Sequence, residues 1–349
     1  MNLYKLLLRP ILFIIDPEKV HYFSLNTLKL IFKVPIFKSI TRLFFVKKSN
    51  VLNKELFGLK FPNPVGLAAG FDKNAKYISE LSAFGFGFIE IGTVTPKKQP
   101  GNPKKRVFRL QNDSALINRL GINNDGCEMC AERLNAKKEN IIIGGNIGKN
   151  TTTNNENAIN DYIINFKTLH QYVDYFVLNV SCPNVNNFTK LQDVEFLKKL
   201  IPELKKINNS KEKQKPILIK ISPDLSQEQL DQTIDLIISE DIDGIIATNT
   251  TTSRESLTTN EKKIEEIGDG GLSGKPLKNR SNEVIKYIAK KTKNKLPIIG
   301  VGGIMTAEDA LEKLKAGADL VQIYTGFIYT GPSLIKKINN LIIKESLNS

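Results

Sequence analysis

Tyr175-Phe176-Val177-Leu178-Asn179-Val180-Ser181-Cys182-Pro183-Asn184 decides how this chain is read. Its first four residues are uninterruptedly apolar, as in a strand buried on both faces of a parallel sheet. The run then ends in an amide, a thiol and a second amide. Such an ending makes poor core, because each polar group would need a partner once buried. It fits the rim of a site, where amides orient a planar polar ligand and a thiol moves a proton.

The same pattern recurs along the chain. Strand-like runs cover 64–70, 86–95, 141–148, 175–181, 216–222, 244–250, 297–303 and 320–326. Helical stretches separate them, for example Ser226–Ser239, Asn279–Lys291 and Thr306–Ala316. Ser226 with Gln229 and Thr306 with Asp309 have the spacing of helix N-caps. Eight strands alternating with helices over about 300 residues predict an α/β fold, a (β/α)8 TIM barrel. A doubly wound open sheet is the alternative, but no GxGxxG opens a helix early in the chain. Lys73, Thr93, Asn146, Asn179, Cys182, Lys220, Thr248 and Asn249 all fall at predicted strand ends. In a barrel these ends converge on the face that carries active sites.

The chain has 349 residues, 41% hydrophobic and 25% charged, with a formal net charge of +14. That is enough chain for a large core. A basic surface suits an anionic membrane or an anionic substrate. No basic block is interleaved with aromatics as in a nucleic-acid groove, so no nucleic-acid partner is expected. The three cysteines, Cys127, Cys130 and Cys182, form no disulfide framework. Cys127-Glu128-Met129-Cys130 reads as packing on a helix, and no metal site is expected.

Residues 1–50 differ from the rest and read as a helical extension ahead of a barrel at 51–349. Leu3, Leu6, Leu7, Leu8 and Ile11–Ile15 form an apolar cluster broken by Lys5, Arg9 and Pro10, and 23–45 mixes Leu, Ile and Phe with Lys and Arg. No run reaches the roughly 18–20 apolar residues of a membrane span. Basic amphipathic helices lying on a membrane fit better than a signal peptide. Helices that only pack on the barrel are the other reading.

Gly300-Val301-Gly302-Gly303 and Tyr324-Thr325-Gly326 close the last two strands. These are positions where barrels hold phosphate on backbone N–H groups. Ala68-Ala69-Gly70-Phe71-Asp72-Lys73 suggests a flat ligand lying on backbone with a cation nearby. Lys220, inside Leu218-Ile219-Lys220-Ile221, needs a charge partner or a function.

Together these segments resemble the dihydroorotate dehydrogenase family, and its quinone-linked, membrane-associated class 2 in particular. The resemblance runs over nearly the whole chain through Ala68–Lys73, Glu90–Thr95, Asn118–Asn124, Asn146–Asn150, Ile246–Thr251, Gly270–Gly274 and Gly300–Ile304. Asp16-Pro17-Glu18-Lys19-Val20-His21 is similar to the extension that class 1 lacks. The resemblance implies an FMN enzyme of pyrimidine synthesis that oxidises (S)-dihydroorotate to orotate and reduces a membrane quinone. It implies FMN contacts at Ala68, Ala69, Gly70, Phe71, Asp72, Thr93, Asn146, Asn179, Lys220, Thr248, Gly274, Gly303, Tyr324 and Thr325, with Lys220 stabilising the reduced anionic ring. It implies substrate contacts at Lys73, Asn118, Arg119, Leu120, Gly121, Ile122, Asn179, Asn184, Asn249 and Thr250. It places His21 near a quinone tunnel, where a packing or surface histidine is the alternative. Arg106 and Arg109 would help bind quinone or simply pair with carboxylates.

The residue types suit the chemistry. Asn side chains offer donor and acceptor together, matching imide N–H and C=O edges. A base removes a proton from C5 while a hydride leaves C6. Class 2 enzymes usually carry Ser as that base, and here the aligned residue is Cys182. A free thiol ionises near pH 8.5, far below a serine hydroxyl, so proton abstraction is expected to tolerate lower pH.

A monomer held peripherally on the cytoplasmic face of a bacterial inner membrane is expected, since no transit-type presequence precedes residue 16. A soluble FMN barrel enzyme using fumarate or a nicotinamide partner is the first rival, favoured by Cys182 and opposed by the apolar N-terminus. A non-catalytic membrane-surface protein on a degenerate barrel is the second.

Overall fold

A computed structural model describes residues 3–137, 139–180, 194–255 and 257–348. Eight strands pair in parallel and in chain order, and close on themselves. They are β1 (Val65–Leu67), β2 (Phe88–Val94), β3 (Ile142–Ile147), β4 (Tyr175–Asn179), β5 (Ile217–Ile221), β6 (Gly244–Ala247), β7 (Ile298–Val301) and β8 (Leu320–Ile323). Each lies inside one of the expected apolar runs. The fold is therefore a (β/α)8 barrel.

Near-continuous apolarity hides a period of two. Phe88, Tyr175, Val177, Leu218, Ile246, Ile299 and Leu320 pack together inside the barrel. Their neighbours Ile89, Phe176, Leu178, Ile219, Ile245, Ile298 and Val321 belong to a separate cluster with the surrounding helices. Both faces of each strand are buried, so both carry apolar side chains. Gly66 and Gly144 make room for the largest interior rings. A Cβ on Gly66 would overlap the Phe88 ring, and one on Gly144 the Tyr175 ring.

An antiparallel hairpin, Lys54–Leu56 with Leu59–Phe61, packs at the N-terminal end of the strands. Phe61 meets Phe88 edge to face at 5.2 Å. A three-stranded antiparallel sheet, Val107–Leu110, Ala115–Asn118 and Gly271–Gly274, stands beside the barrel. Neither lies among the eight expected strands.

The helices follow local signals. Ser226 and Gln229 form a full capping box ahead of Gln227–Ser239, and Thr306 and Asp309 do so ahead of Ala307–Lys315. Cys127 and Cys130 are buried on the helix Cys127–Asn135.

At the N-terminus, Arg9–Ile14, Pro17–Ile31 and Pro35–Phe45 are α-helices. Among the described residues no helix is long and apolar enough to cross a membrane. Asp16 caps the second helix by accepting from the amides of Glu18 and Lys19. Ile11, Ile14, Phe23, Leu30, Ile36, Phe37, Leu43 and Phe44 are exposed on these helices.

Candidate active site

A cavity opens at the C-terminal ends of the strands. It is lined by Ala68, Ala69, Gly70, Lys73, Thr93, Asn118, Leu120, Gly121, Ile122, Asn146, Asn179, Lys220, Thr248, Asn249, Thr250, Ser273, Leu277, Val301 and Tyr324. Most of the residues singled out in the sequence meet here, from every strand of the barrel or the loop that follows it.

The inward parity of the strands explains the convergence. Thr93 follows a register irregularity in β2. Asn146, Asn179 and Lys220 occupy inward positions two residues beyond their apolar neighbours. Their side chains join into one relay. Asn249 donates to Asn179 at 3.5 Å, and Asn179 Nδ2 to Thr93 Oγ1 at 2.7 Å. Thr93 Oγ1 donates to Asn146 Oδ1 at 2.6 Å, and Asn146 Nδ2 to Glu90 at 2.9 Å.

Glycine and alanine form the opposite wall. Gly70 adopts φ 96°, and a Cβ there would touch the Tyr324 ring at 3.4 Å. Gly303 adopts φ 73°, and a Cβ there would overlap Lys278 Cα at the start of the helix Lys278–Lys291. Ser273, which the sequence reading did not select, pairs with Thr325 Oγ1 at 2.8 Å. Leu277 and Val301 add apolar lining that was also missed.

Several of the expected residues also have partners within the chain. Asp72 is buried and accepts from the amides of Lys76 and Tyr77, both at 2.8 Å, which fixes the loop that presents Lys73. Burial raises its pKa, opposed by those backbone hydrogen bonds. Phe71 packs edge to face with His21, Tyr324 and Phe327. Arg119 donates to the carbonyls of Ile267 and Asp269, and only its neighbours line the cavity. Gly274, Gly303 and Thr325 are not among the lining residues. Ser181, Cys182 and Asn184 fall outside the described residues.

His21 lies on the helix Pro17–Ile31 with its ring 4.9 Å from Phe71. Burial, and then the Lys73 charge, push its pKa down to about 4. Arg106 pairs with Glu18. Arg109 donates to the carbonyls of Phe13 and Ile15 and lies 4.6 Å from the centre of the Phe13 ring.

Fold and site define a TIM-barrel enzyme with an amide-rich cavity, walled in part by alanine and glycine, at its strand ends. A sequence model described as dihydroorotate dehydrogenase matches residues 51–345, and the chain belongs to that family, whose enzymes are flavin-dependent. A dihydroorotate dehydrogenase (quinone) of Christiangramia forsetii is 57% identical over 345 residues, spanning 99% of this chain and 100% of that protein. One of Idiomarina loihiensis is 45% identical, spanning 95% of this chain and 98% of its own length. The crystal structure of the Eimeria tenella enzyme in complex with ferulenol superposes with a TM-score of 0.84 at 33% identity, covering 95% of this chain and 92% of that one.

Proposed function

We propose that the cavity binds FMN and dihydroorotate together, that Cys182 is the base, and that the N-terminal helices deliver a membrane quinone. The reaction is oxidation of (S)-dihydroorotate to orotate with a quinone as acceptor, a step of pyrimidine synthesis. The carrying observation is the single cavity in which Lys73, Lys220, the asparagine relay and the Ala68–Gly70 wall meet.

The residues present suit FMN. A wall with no side chain larger than a methyl at Ala68–Gly70 accommodates a flat ring, and Gly303 has no room for a Cβ beside Lys278. Lys220 supplies positive charge, and Asn146, Asn179 and Thr248 supply amide and hydroxyl groups. Gly274, Gly303, Tyr324 and Thr325 are read as the cofactor's further contacts, with a phosphate on the glycine-rich ends of β7 and β8. When bound, FMN accepts the hydride from substrate C6.

Lys73, held by the Gly70 carbonyl at 2.9 Å, is placed to take the substrate carboxylate with the backbone of 118–122. Asn179 and Asn249 offer amide edges to the imide. Asn184 and Thr250 complete this reading of the substrate site. Cys182 Sγ takes the C5 proton.

The exposed apolar side chains on Pro17–Ile31 and Pro35–Phe45 stand beside the exposed Lys33 and Arg42, whereas Lys29 donates to the Lys76 carbonyl and Lys38 pairs with Glu139 at 2.7 Å. Such a face lies on an anionic membrane surface, apolar groups in the lipid and ammonium groups at the phosphates. Because the relatives from Christiangramia forsetii and Idiomarina loihiensis are bacterial, this reading puts the protein, taken as a monomer, on the cytoplasmic face of the inner membrane. Residues 1–50 form the quinone-side extension and 51–349 the FMN barrel. A steady-state assay tests the acceptor: turnover of dihydroorotate with a soluble quinone analogue, and not with fumarate or NAD, is expected. Equal turnover with fumarate would move the chain to the soluble reading.

A further inference from the structure

Glu90 is completely buried inside the barrel, beneath the cavity rather than in its lining. Asn146 Nδ2 reaches its Oε1 at 2.9 Å and Gln322 Nε2 its Oε2 at 2.6 Å. The Lys220 ammonium stands 3.9 Å from Oε1. A buried carboxylate is costly unless donors and a counter-charge surround it, and three strands supply them here. Asn146, Gln322 and Lys220 sit on β3, β8 and β5, so closure of the barrel brings the group together.

A carboxylate only accepts. It therefore compels Asn146 to turn its NH2 downward, leaving Oδ1 to accept from Thr93. Thr93, having given its proton to Asn146, accepts from Asn179 Nδ2. Asn179 Oδ1 is then left to accept from Asn249. One buried charge sets the donor and acceptor direction of every amide up to the substrate-facing pair.

We propose that Glu90 is a positioning residue that fixes the polarity of the Asn146–Thr93–Asn179–Asn249 relay and offsets the Lys220 charge beneath the flavin ring. This rests on the reading of the cavity as an FMN site. A hydride brings two electrons and one proton, so the accepting ring gains negative charge, which Lys220 favours and Glu90 opposes. Gln322 also ends on Glu90, so the carboxylate ties the eighth strand into the same assembly.

The test uses purified flavoprotein and the variant Glu90→Gln, whose amide both donates and accepts. Two quantities are measured without turnover: the dissociation constant of sulfite, an anion that adds to oxidised flavins, and that of orotate. Sulfite is expected to bind about tenfold more tightly, matched by a two-electron potential about 30 mV higher. Orotate is expected to bind about tenfold more weakly, because the relay loses its fixed direction. If Glu90→Gln yields no folded flavoprotein, Glu90→Asp keeps the charge but withdraws it by one methylene, and about a threefold change in each constant is expected. A folded variant with a lowered melting temperature but both constants within twofold of wild type would overturn the proposal and leave Glu90 as core packing. Wild-type protein that carries no flavin would overturn the cofactor reading as well.

Discussion

Arg106 grips Glu18 through two hydrogen bonds, Nη2 to Oε1 at 2.7 Å and Nε to Oε2 at 3.0 Å, with both side chains largely buried. Arg106 Nη1 also donates to the carbonyls of Pro100 and Asn102. Asn102 in turn holds the carbonyls of Arg119 and Leu120. The helix Pro17–Ile31 is thereby tied to the loop that lines the cavity at 120–122. Glu18→Ala leaves the guanidinium without its carboxylate, a loss of about 3 kcal/mol for a buried pair. Faster hydrogen exchange in Pro17–Ile31, unchanged exchange in the barrel strands and a raised KM for quinone are expected. Unchanged exchange in that helix would show that other contacts hold it.

Gly303 has a positive φ and lies against the backbone of Lys278. Gly303→Ala strains the turn and pushes the strand end from the helix, at a cost of about 1–3 kcal/mol. Flavin content after gel filtration should fall at least tenfold while far-UV circular dichroism stays that of wild type. Full retention of flavin would remove this turn from the phosphate site.

Lys313 is fully buried, donating to Ser281 Oγ at 2.9 Å and Asn282 Oδ1 at 2.6 Å. Burial pulls its pKa down to about 7, opposed by Glu312 and Asp309. Between pH 7 and about 10.5 the unfolded chain holds a proton that the native state has released, so native stability rises with pH. Below pH 7 both states are charged and the full burial cost, on the order of 5 kcal/mol, applies. Lys313→Met removes this dependence. The melting temperature of wild type should gain on that of the variant from pH 7 to 10, and parallel curves would refute it.

Cys182 as base predicts a pH–rate profile set by a thiol. Cys182→Ser should move the rising limb of kcat to higher pH, since a serine hydroxyl needs more assistance to ionise than a thiol near 8.5. Superimposed profiles would mean that position 182 does not limit proton removal.

The sequence disclosed the barrel because each strand is buried on both faces and so reads as a solid apolar run. Ser226 and Thr306 were legible because a cap is a local bargain between residues three apart. Pairing of Gly271–Gly274 with Ala115–Asn118 was not, because those segments are far apart and short. Glu90 carried a visible signal, a carboxylate amid Phe88, Ile89 and Ile91. Its meaning depends on Asn146, Lys220 and Gln322, which only barrel closure brings near. Phe71 and Asp72 were placed on the cofactor by resemblance alone, and their packing in an aromatic cluster and on the amides of their own loop was not legible in the sequence.

The most direct measurement mixes the purified protein with dihydroorotate under anaerobic conditions and follows flavin absorbance, then adds a soluble quinone analogue or fumarate. Bleaching by dihydroorotate with recovery on quinone and none on fumarate is the predicted result. Absence of bleaching in a flavin-containing preparation would contradict the substrate assignment, and recovery on fumarate alone would contradict the quinone-linked reading.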